Sequence, residues 1–564
     1  MSLLDLHKKY LNEEYDENGN VKKLTFNVPQ DFNYAYDVVD VLGRETPDRR
    51  AMLWIGNDGE EKSFTFADIS RESSRAAAAL VKNGVRRGDK VLLVLKRHVE
   101  SWLCILACHK IGAVAIPATN LLGSHDILYR LRAADISAVV CTPDNGFPTR
   151  VDEAEKEFGK TLVKLVAHSD AYPGWKNLST EMDSAPEFVP PAERNSVLDP
   201  MLIYFSSGTT GMPKMVEHNY AYAIAHIPTA KYWHRVIPDG LHMTVAESGW
   251  GKYVWGKLYG QWFMEAGIFA FDFDRFDAKT MLSLLEKYRI TTFCAPPTIY
   301  RFFIKENLAA YDLSSIRHAT IAGEALNPEV LEQFRSATGL VIHEGFGMTE
   351  TTCTIMNPYW ITPRPGSMGK PSPAYEVTIL DENGKEAIPG VTGEIAIKLP
   401  PEGELLPGLF NGYCSDPEKT AEARRGGWFH TGDTAWKDED GYFWFVGRGD
   451  DLIKSSGYRI GPFEVESVLI EHPAVLECAV TPYPDPTRGL VVKATILLAP
   501  GYAPSEDLKK EIQTYVKTHT APYKYPRVVE FVDALPKTIS GKVSHTVIRD
   551  TDFAKYRELH PEWK

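Results

Sequence analysis

Hydrophobic positions along the chain follow two rhythms, and the switches between them mark its organisation. From about 64 to 300, short unbroken apolar runs at 91–95, 113–116 and 138–141 read as strands buried on both faces. Between and around them apolar residues recur every three to four positions, over 66–82, 101–111 and 126–134, which predicts amphipathic or buried helices. Strand, helix, strand at this spacing predicts βαβ units and parallel sheets covered by helices. After about 365 the texture changes. Short strands at 375–380 and 394–399 follow each other, and the turn Asp381-Glu382-Asn383-Gly384 lies between them. This predicts a small antiparallel or barrel-like region.

A third texture begins at Gly447-Arg448-Gly449-Asp450-Asp451, where glycines flank charges after the apolar stretch 442–446. That composition suits a hinge. Beyond it, a strand at 491–498 and a helix at 505–519 predict a compact α+β unit. The chain of 564 residues is long enough for about three to four domain-sized units. The expected division is a large body over 1–449 and a small domain over 450–564.

Composition narrows the class. Hydrophobic residues make up 44% of the chain, as in globular proteins. The net charge of −13 argues against a nucleic-acid or anionic-membrane binder. Seven scattered cysteines, with Cys104 and Cys108 in an apolar helical stretch, give no disulfide framework and no metal-ligand spacing. No apolar run reaches the roughly 18 residues of a membrane span. The first twenty residues are charged throughout and lack the apolar core of a signal peptide. A cytoplasmic location is the expectation.

The strongest local signal is Ser206-Ser207-Gly208-Thr209-Thr210-Gly211-Met212-Pro213-Lys214, which follows an apolar strand. Glycines let backbone N–H groups approach an anion, hydroxyls add donors, and Lys214 adds charge. Such a loop holds polyphosphate; the bland reading is a flexible surface loop. It is not a P-loop, because Met212 and Pro213 separate Gly211 from Lys214 and Met215 follows.

This segment resembles the phosphate loop of the adenylate-forming superfamily: acyl-CoA synthetases, firefly luciferase and the adenylation domains of peptide synthetases. Further motifs of that superfamily follow in order: Gly323-Glu324-Ala325-Leu326, Glu344-Gly345-Phe346-Gly347-Met348-Thr349-Glu350 and Thr431-Gly432-Asp433. Then come the Gly447–Asp451 stretch, Lys454-Ser455-Ser456-Gly457-Tyr458-Arg459 and Pro536-Lys537-Thr538-Ile539-Ser540-Gly541-Lys542. The resemblance implies an α/β fold: two βαβ-type sheet subdomains and a small β-barrel in the body, and a small mobile α+β C-terminal domain. It implies ATP, Mg2+ and CoA as the small molecules handled, with a carboxylic acid as co-substrate. The oligomeric state stays open between monomer and homodimer.

Residue roles follow from the resemblance together with the chemistry. Joining a carboxylate to the α-phosphate of ATP brings two anions together, so the site must supply cations and fixed donors. Glu344, Gly345 and Phe346 are expected at the adenine, with Gly323, Glu324 and Ala325 as the opposite wall. A lone Phe is otherwise a core residue. Asp433 and Arg448 are expected at the ribose. Thr349 should donate to the α-phosphate, and Glu350 should hold Mg2+, a hard cation that prefers oxygen. Lys542, in isolation an ordinary solvated lysine, matches the catalytic lysine that bridges carboxylate and α-phosphate. Asp450 matches the hinge about which the small domain turns. The segment Ser456, Gly457, Tyr458 and Arg459 then replaces Lys542 and lines the CoA tunnel. Arg488 and Lys517 match CoA contacts and read equally well as surface charge.

The acyl pocket is expected in 244–263, which carries Trp250, Trp255 and Trp262 with Lys252 and Lys257, and along the backbone of 344–348. No acidic residue occurs from 248 to 264, where relatives that activate amino acids place an aspartate. Acetate-specific relatives carry a bulky tryptophan where this chain has Gly347, so room for further carbons is expected. The resemblance is strongest to medium-chain acyl-CoA synthetases, with a medium, branched or small aromatic acid as substrate. The alternatives are a stand-alone enzyme loading a carrier protein, a luciferase-like oxygenase, and a non-catalytic nucleotide-binding relic. No carrier-like Asp-Ser-Leu follows Lys542, and Lys542, Glu350 and Asp433 are all present.

Overall fold

The computed structural model describes residues 3–169, 172–206, 212–323, 326–449, 451–455, 458–538 and 542–560. Its helices start where the local chemistry dictates. Thr65 caps Phe66–Lys82 through a reciprocal box with Asp68. Ser505 caps Glu506–His519, whose Leu508, Ile512 and Val516 face inward. Glu100–Ile111 is buried along almost its whole circumference and stops at Gly112, which takes the left-handed φ of 80°. That helix is apolar on all sides because it lies inside the body, covered by Phe66–Lys82.

Among the described residues two large sheets build the body. The first runs in the order 412–413, 214–219, 200–206, 114–117, 90–94, 138–141, 163–166, 176–177. Its centre is parallel, with Lys90–Val94 between Val114–Pro117 and Ala138–Cys141. The second places Ile342–Phe346, His318–Ile321, Thr292–Ala295, Leu241–Thr244, Gly267–Phe271 and Arg50–Ile55 side by side, all parallel. Ser206 ends a strand of the first sheet, while Phe346 ends and Gly323 closely follows strands of the second. These carboxyl ends are where open parallel sheets present ligand crevices. A hairpin, Leu11–Tyr15 with Val21–Phe26, is pinned to the body by the Leu24 N–H on the Pro373 carbonyl at 3.1 Å.

The expected small barrel does not form: no barrel closes among the described residues. The strands Ser367–Pro371, Phe443–Arg448, Trp428–Lys437, Gly393–Lys398 and Val377–Leu380 instead continue the second sheet as an antiparallel ladder. The short strand Ile355–Met356 is the joint. It pairs with Gly345–Phe346 on one side and Lys370–Pro371 on the other. The antiparallel strands therefore find a partner in the parallel sheet on one side, and Val377–Leu380 is left as the outer edge on the other.

After 450 a separate sheet, with Val475–Asp485, Gly489–Leu498 and Val528–Val532 at its heart, is covered by Pro462–Glu471 and Glu506–His519. It has its own apolar core, from Ile453 to Val529. Behind it the buried Lys493 ammonium meets both oxygens of Asp552, at 2.6 and 2.7 Å.

Trp262, within the stretch expected to carry the acyl pocket, is a core residue. It is fully buried, and its indole N–H donates to the Ala51 carbonyl at 2.9 Å. Trp262→Ala is expected to cost about 3–5 kcal/mol of stability, seen as a lowered thermal unfolding midpoint. A midpoint equal to the parent's would place this indole outside the packed core.

Candidate active site

Three strand ends and one loop of the small unit converge. On the second sheet, Glu344 sits near the end of Ile342–Phe346 and is buried. Burial pushes its carboxyl up to about 8, with the Leu326 N–H pulling the other way. At neutral pH the group therefore carries its proton while keeping a carbonyl oxygen as acceptor. Gly345 is glycine for packing reasons, because a Cβ there would lie 2.6 Å from the Trp233 ring and 2.8 Å from the Cys353 sulfur. Phe346 is half-buried, 6.4 Å from the Phe445 ring. It joins the core beside the antiparallel strands without being sealed in it.

Thr349 and Glu350 follow directly. The Thr349 carbonyl accepts from His218 Nε2 at 2.7 Å, and that imidazole stacks on Tyr222. Burial holds His218 down at about 4, so it is the neutral N–H form that donates. Glu350 is buried, and burial raises its carboxyl above the usual range. Tyr413 O–H donates to Glu350 Oε1 at 3.0 Å, and the Phe410 N–H donates to the Glu350 carbonyl at 2.9 Å. Together with Lys214 and Arg448, Tyr413 favours the charged carboxylate. Lys214 stands opposite Ser206 in the ladder, with its ammonium 5.1 Å from the Tyr413 ring. Tyr413 and His218 were missed in sequence reasoning. The two lie on neighbouring strands at one edge of the first sheet, and only the pairing of 412–413 with 216–217 brings Tyr413 to Glu350.

Asp433 and Arg448 face each other as register partners in the antiparallel ladder. Gly432, just before, has a φ of 76° and donates its N–H to Glu394. Gly323 has a φ of 107°, and a Cβ on it would meet the Trp250 ring at 3.1 Å. Two lysines close on this turn. Lys252 Nζ donates to the Ala322 carbonyl at 2.8 Å, and Lys542 Nζ donates to the Gly323 carbonyl at 2.6 Å. The small unit also touches the body where Asn327 Nδ2 donates to the Ser467 carbonyl at 2.8 Å. Glu324, Ala325, Ser207, Gly208, Thr209, Thr210, Gly211, Asp450, Ser456 and Gly457 lie outside the described residues. Tyr458 and Arg459 are on the strand Tyr458–Ile460, paired with Ile453–Ser455. Arg488 is exposed in the turn next to Gly489, which pairs with Ser455, so it borders this segment. Lys517 is exposed on Glu506–His519, over the Tyr525 ring.

A side chain at position 347 has no space of its own. A Cβ at Gly347 would fall 2.2 Å from the Thr352 carbonyl oxygen and 2.5 Å from the Trp255 ring. Trp255 is buried and fixed by its N–H on the Tyr222 hydroxyl at 2.9 Å. Trp255 and the Thr352 carbonyl lie against the face of Gly347. Lys257 is buried at the close of the same helix, and burial pushes it down to about 7.

Residues 40–414 match the model of the AMP-binding enzyme family, and 464–542 that of the AMP-binding enzyme C-terminal domain. Acyl-coenzyme A synthetase ACSM3, mitochondrial, of Mus musculus is 42% identical over 540 residues, covering 93% of this chain and 91% of that protein. Acyl-coenzyme A synthetase ACSM5, mitochondrial, of Homo sapiens is 42% identical over 537 residues, covering 94% and 92%. Among solved structures, the anthranilate CoA ligase AuaEII in complex with anthranoyl-AMP superposes with a TM-score of 0.84 at 29% identity, covering 94% of this chain and 99% of that one. The benzoate CoA ligase from Burkholderia xenovorans LB400 gives 0.80 at 28% identity, covering 92% and 100%. The expected cytoplasmic location is overturned by these relatives, since both curated ones are named as mitochondrial. No helix among the described residues is long and apolar enough to cross a membrane.

Gly347→Ala is expected to lower the thermal midpoint by several degrees, about 1–3 kcal/mol of overpacking. Trp255→Ala carries a cavity cost of its own, about 3–5 kcal/mol, so the contact is read from the coupling in a double-mutant cycle, which should recover only part of the Gly347→Ala loss because the Thr352 carbonyl remains in the way. A coupling equal to the whole Gly347→Ala loss would show that the indole alone sets the constraint.

Proposed function

The chain belongs to the AMP-binding enzyme family, and from that premise we infer that it is an AMP-forming acyl-CoA synthetase. A carboxylate oxygen attacks the α-phosphorus of ATP and pyrophosphate leaves. The CoA sulfur then attacks the acyl carbon and AMP leaves. The single observation that carries this reading is the Lys542 ammonium on the Gly323 carbonyl. It puts a cation from the small unit at the strand ends that also bear Thr349 and Glu350. Charge neutralisation at the point where two anions meet is the largest contribution such a site makes. The 42% identity to named acyl-coenzyme A synthetases over most of the chain supports the CoA step over carrier loading.

Within that reading, Ser206, Lys214 and the 207–211 segment hold the phosphates, and Thr349 donates to the α-phosphate. Glu344, Phe346 and Gly323 enclose the adenine, while Asp433 and Arg448 take the ribose. Among the described residues no group of three or more potential ligands stands ready to hold a metal by itself. Glu350 nevertheless fits Mg2+ arriving with ATP, as one buried carboxylate oriented by Tyr413, the remaining oxygens coming from phosphate and water. Such an ion would supply further neutralisation of phosphate charge.

The unit from 450 onward is the part that turns between the two half-reactions, about Asp450. Lys542 withdraws, and the segment with Ser456, Gly457, Tyr458 and Arg459 takes its place along the CoA arm. Arg488, which borders that segment, and Lys517 are the cations for CoA phosphates.

The acid is a medium, branched or small aromatic one. Trp255 caps the pocket beyond Gly347, so the indole sets the length accepted. Each further buried methylene is worth ~0.8 kcal/mol where space exists.

Two measurements test this. Lys542→Ala should lower acid-dependent pyrophosphate–ATP exchange on the order of a hundredfold or more, while thioester formation from supplied acyl-adenylate continues. Equal loss in both would contradict the exchange of Lys542 for the CoA segment. Across straight-chain, branched, aromatic and amino acids, AMP release with CoA should peak at medium or branched acids. Trp255→Ala should move the optimum toward longer chains by about two to three carbons; an unmoved optimum would place the pocket floor elsewhere.

A further inference from the structure

We propose that the indole of Trp250 is a positioning residue for Lys542, holding its ammonium over the ring by cation–π attraction during acyl-adenylate formation. The inference rests on the reading of Lys542 given above.

Lys542 lies on a loop, at the end of four rotatable side-chain bonds. Nothing in such a side chain fixes where its ammonium rests, and ordering it carries a large entropic cost. Its Nζ lies 5.7 Å from the Trp250 ring centroid while donating to the Gly323 carbonyl. A tryptophan face is the best aromatic acceptor for a cation at this range. The carbonyl supplies direction and the ring a second attachment, so the ammonium is defined from two sides.

The ring is itself fixed. Gly323 leaves room for it, since a Cβ there would crowd its Cζ2 at 3.1 Å. Lys252 Nζ lies 5.7 Å from the same ring and is tied to the Ala322 carbonyl at 2.8 Å. Ala322 and Gly323, adjacent in sequence, thus receive one lysine each, and the Trp250 ring lies 5.7 Å from both ammonium groups. A tryptophan serving only as a wall for the acid would need neither contact. The geometry gives it a second task, acting through Lys542.

Fluorination tests this without changing shape, because each fluorine withdraws charge from the ring face. A series of mono-, di- and trifluorotryptophan placed at 250 alone, in the full-length enzyme, is compared with Trp250→Phe and Trp250→Leu. Pyrophosphate–ATP exchange and thioester formation from supplied acyl-adenylate are measured separately. The rate of exchange at saturating acid should fall stepwise with fluorine number, by about three- to tenfold in all. The KM for the acid should not follow the fluorine number. Phe should retain more exchange than Leu, and the graded loss should be confined to exchange. In Lys542→Ala, fluorination should have no further effect. Exchange indifferent to fluorine while Lys542→Ala is inactive would overturn the role of Trp250 and leave that of Lys542. Parallel loss in both half-reactions would also overturn it, marking the ring as a pocket or tunnel wall. Full exchange in Lys542→Ala would remove the reading of Lys542 and this proposal together.

Discussion

The contact between the Lys542 ammonium and the Gly323 carbonyl is the one on which the rest of the site depends. It joins two units with separate apolar cores, one ending near 450 and one beginning there. A single ammonium–carbonyl bond is worth little in water, and more where apolar and aromatic walls lower the local dielectric. The parallel strands bring the groups around that contact to one place. His318–Ile321 delivers Gly323 at its carboxyl end, Ile342–Phe346 delivers Thr349 and Glu350, and Pro200–Ser206 delivers the hydroxyl-rich loop. A lysine brought to that point meets fixed groups at a solvent-exposed bond, with the Trp250 ring as its aromatic neighbour.

Two buried carboxyls a few residues apart are both raised by burial and differ in what opposes it. Glu344 has burial acting on it with little opposition, and its carboxyl rises to about 8. Glu350 is as deeply buried, but Tyr413, Lys214 and Arg448 all favour its charged form. The first suits neutral hydrogen bonding to a base; the second suits a cation. The difference comes from the strand Gly412–Tyr413, which crosses from the first sheet to place one hydroxyl. Two sheets are needed to give two acids on one strand end different work.

Space in the acyl region is governed by the same economy. Gly345 and Gly347 are glycines because Trp233 and Trp255 press against them, not because the backbone needs a left-handed turn. The tryptophans of the stretch divide by task. Trp262 belongs to the core, Trp255 fills the space beside Gly347, and Trp250 lies against Gly323 and two lysines.

Most of the local structure was legible in the sequence. The run at 138–141 and the helix at 66–82 are elements with those bounds, because burial on both faces and a clean helical period are properties of short segments. The ordered motifs also disclosed the family, and with it the chemistry to look for. What the sequence left open concerns partners far apart in the chain. It suggested an antiparallel or barrel-like region after 365, and the strands are antiparallel, yet Ile355–Met356 joins them to the parallel sheet instead of a barrel; pairing across sheets is a tertiary choice. It did not disclose that a tryptophan some ninety positions earlier lies against Gly347. It was silent on Tyr413 and His218, whose roles exist only through hydrogen bonds to Glu350 and the Thr349 carbonyl. Periodicity and motif order are written along one dimension. Which ring fills which space, and which hydroxyl meets which acid, is decided by packing in three.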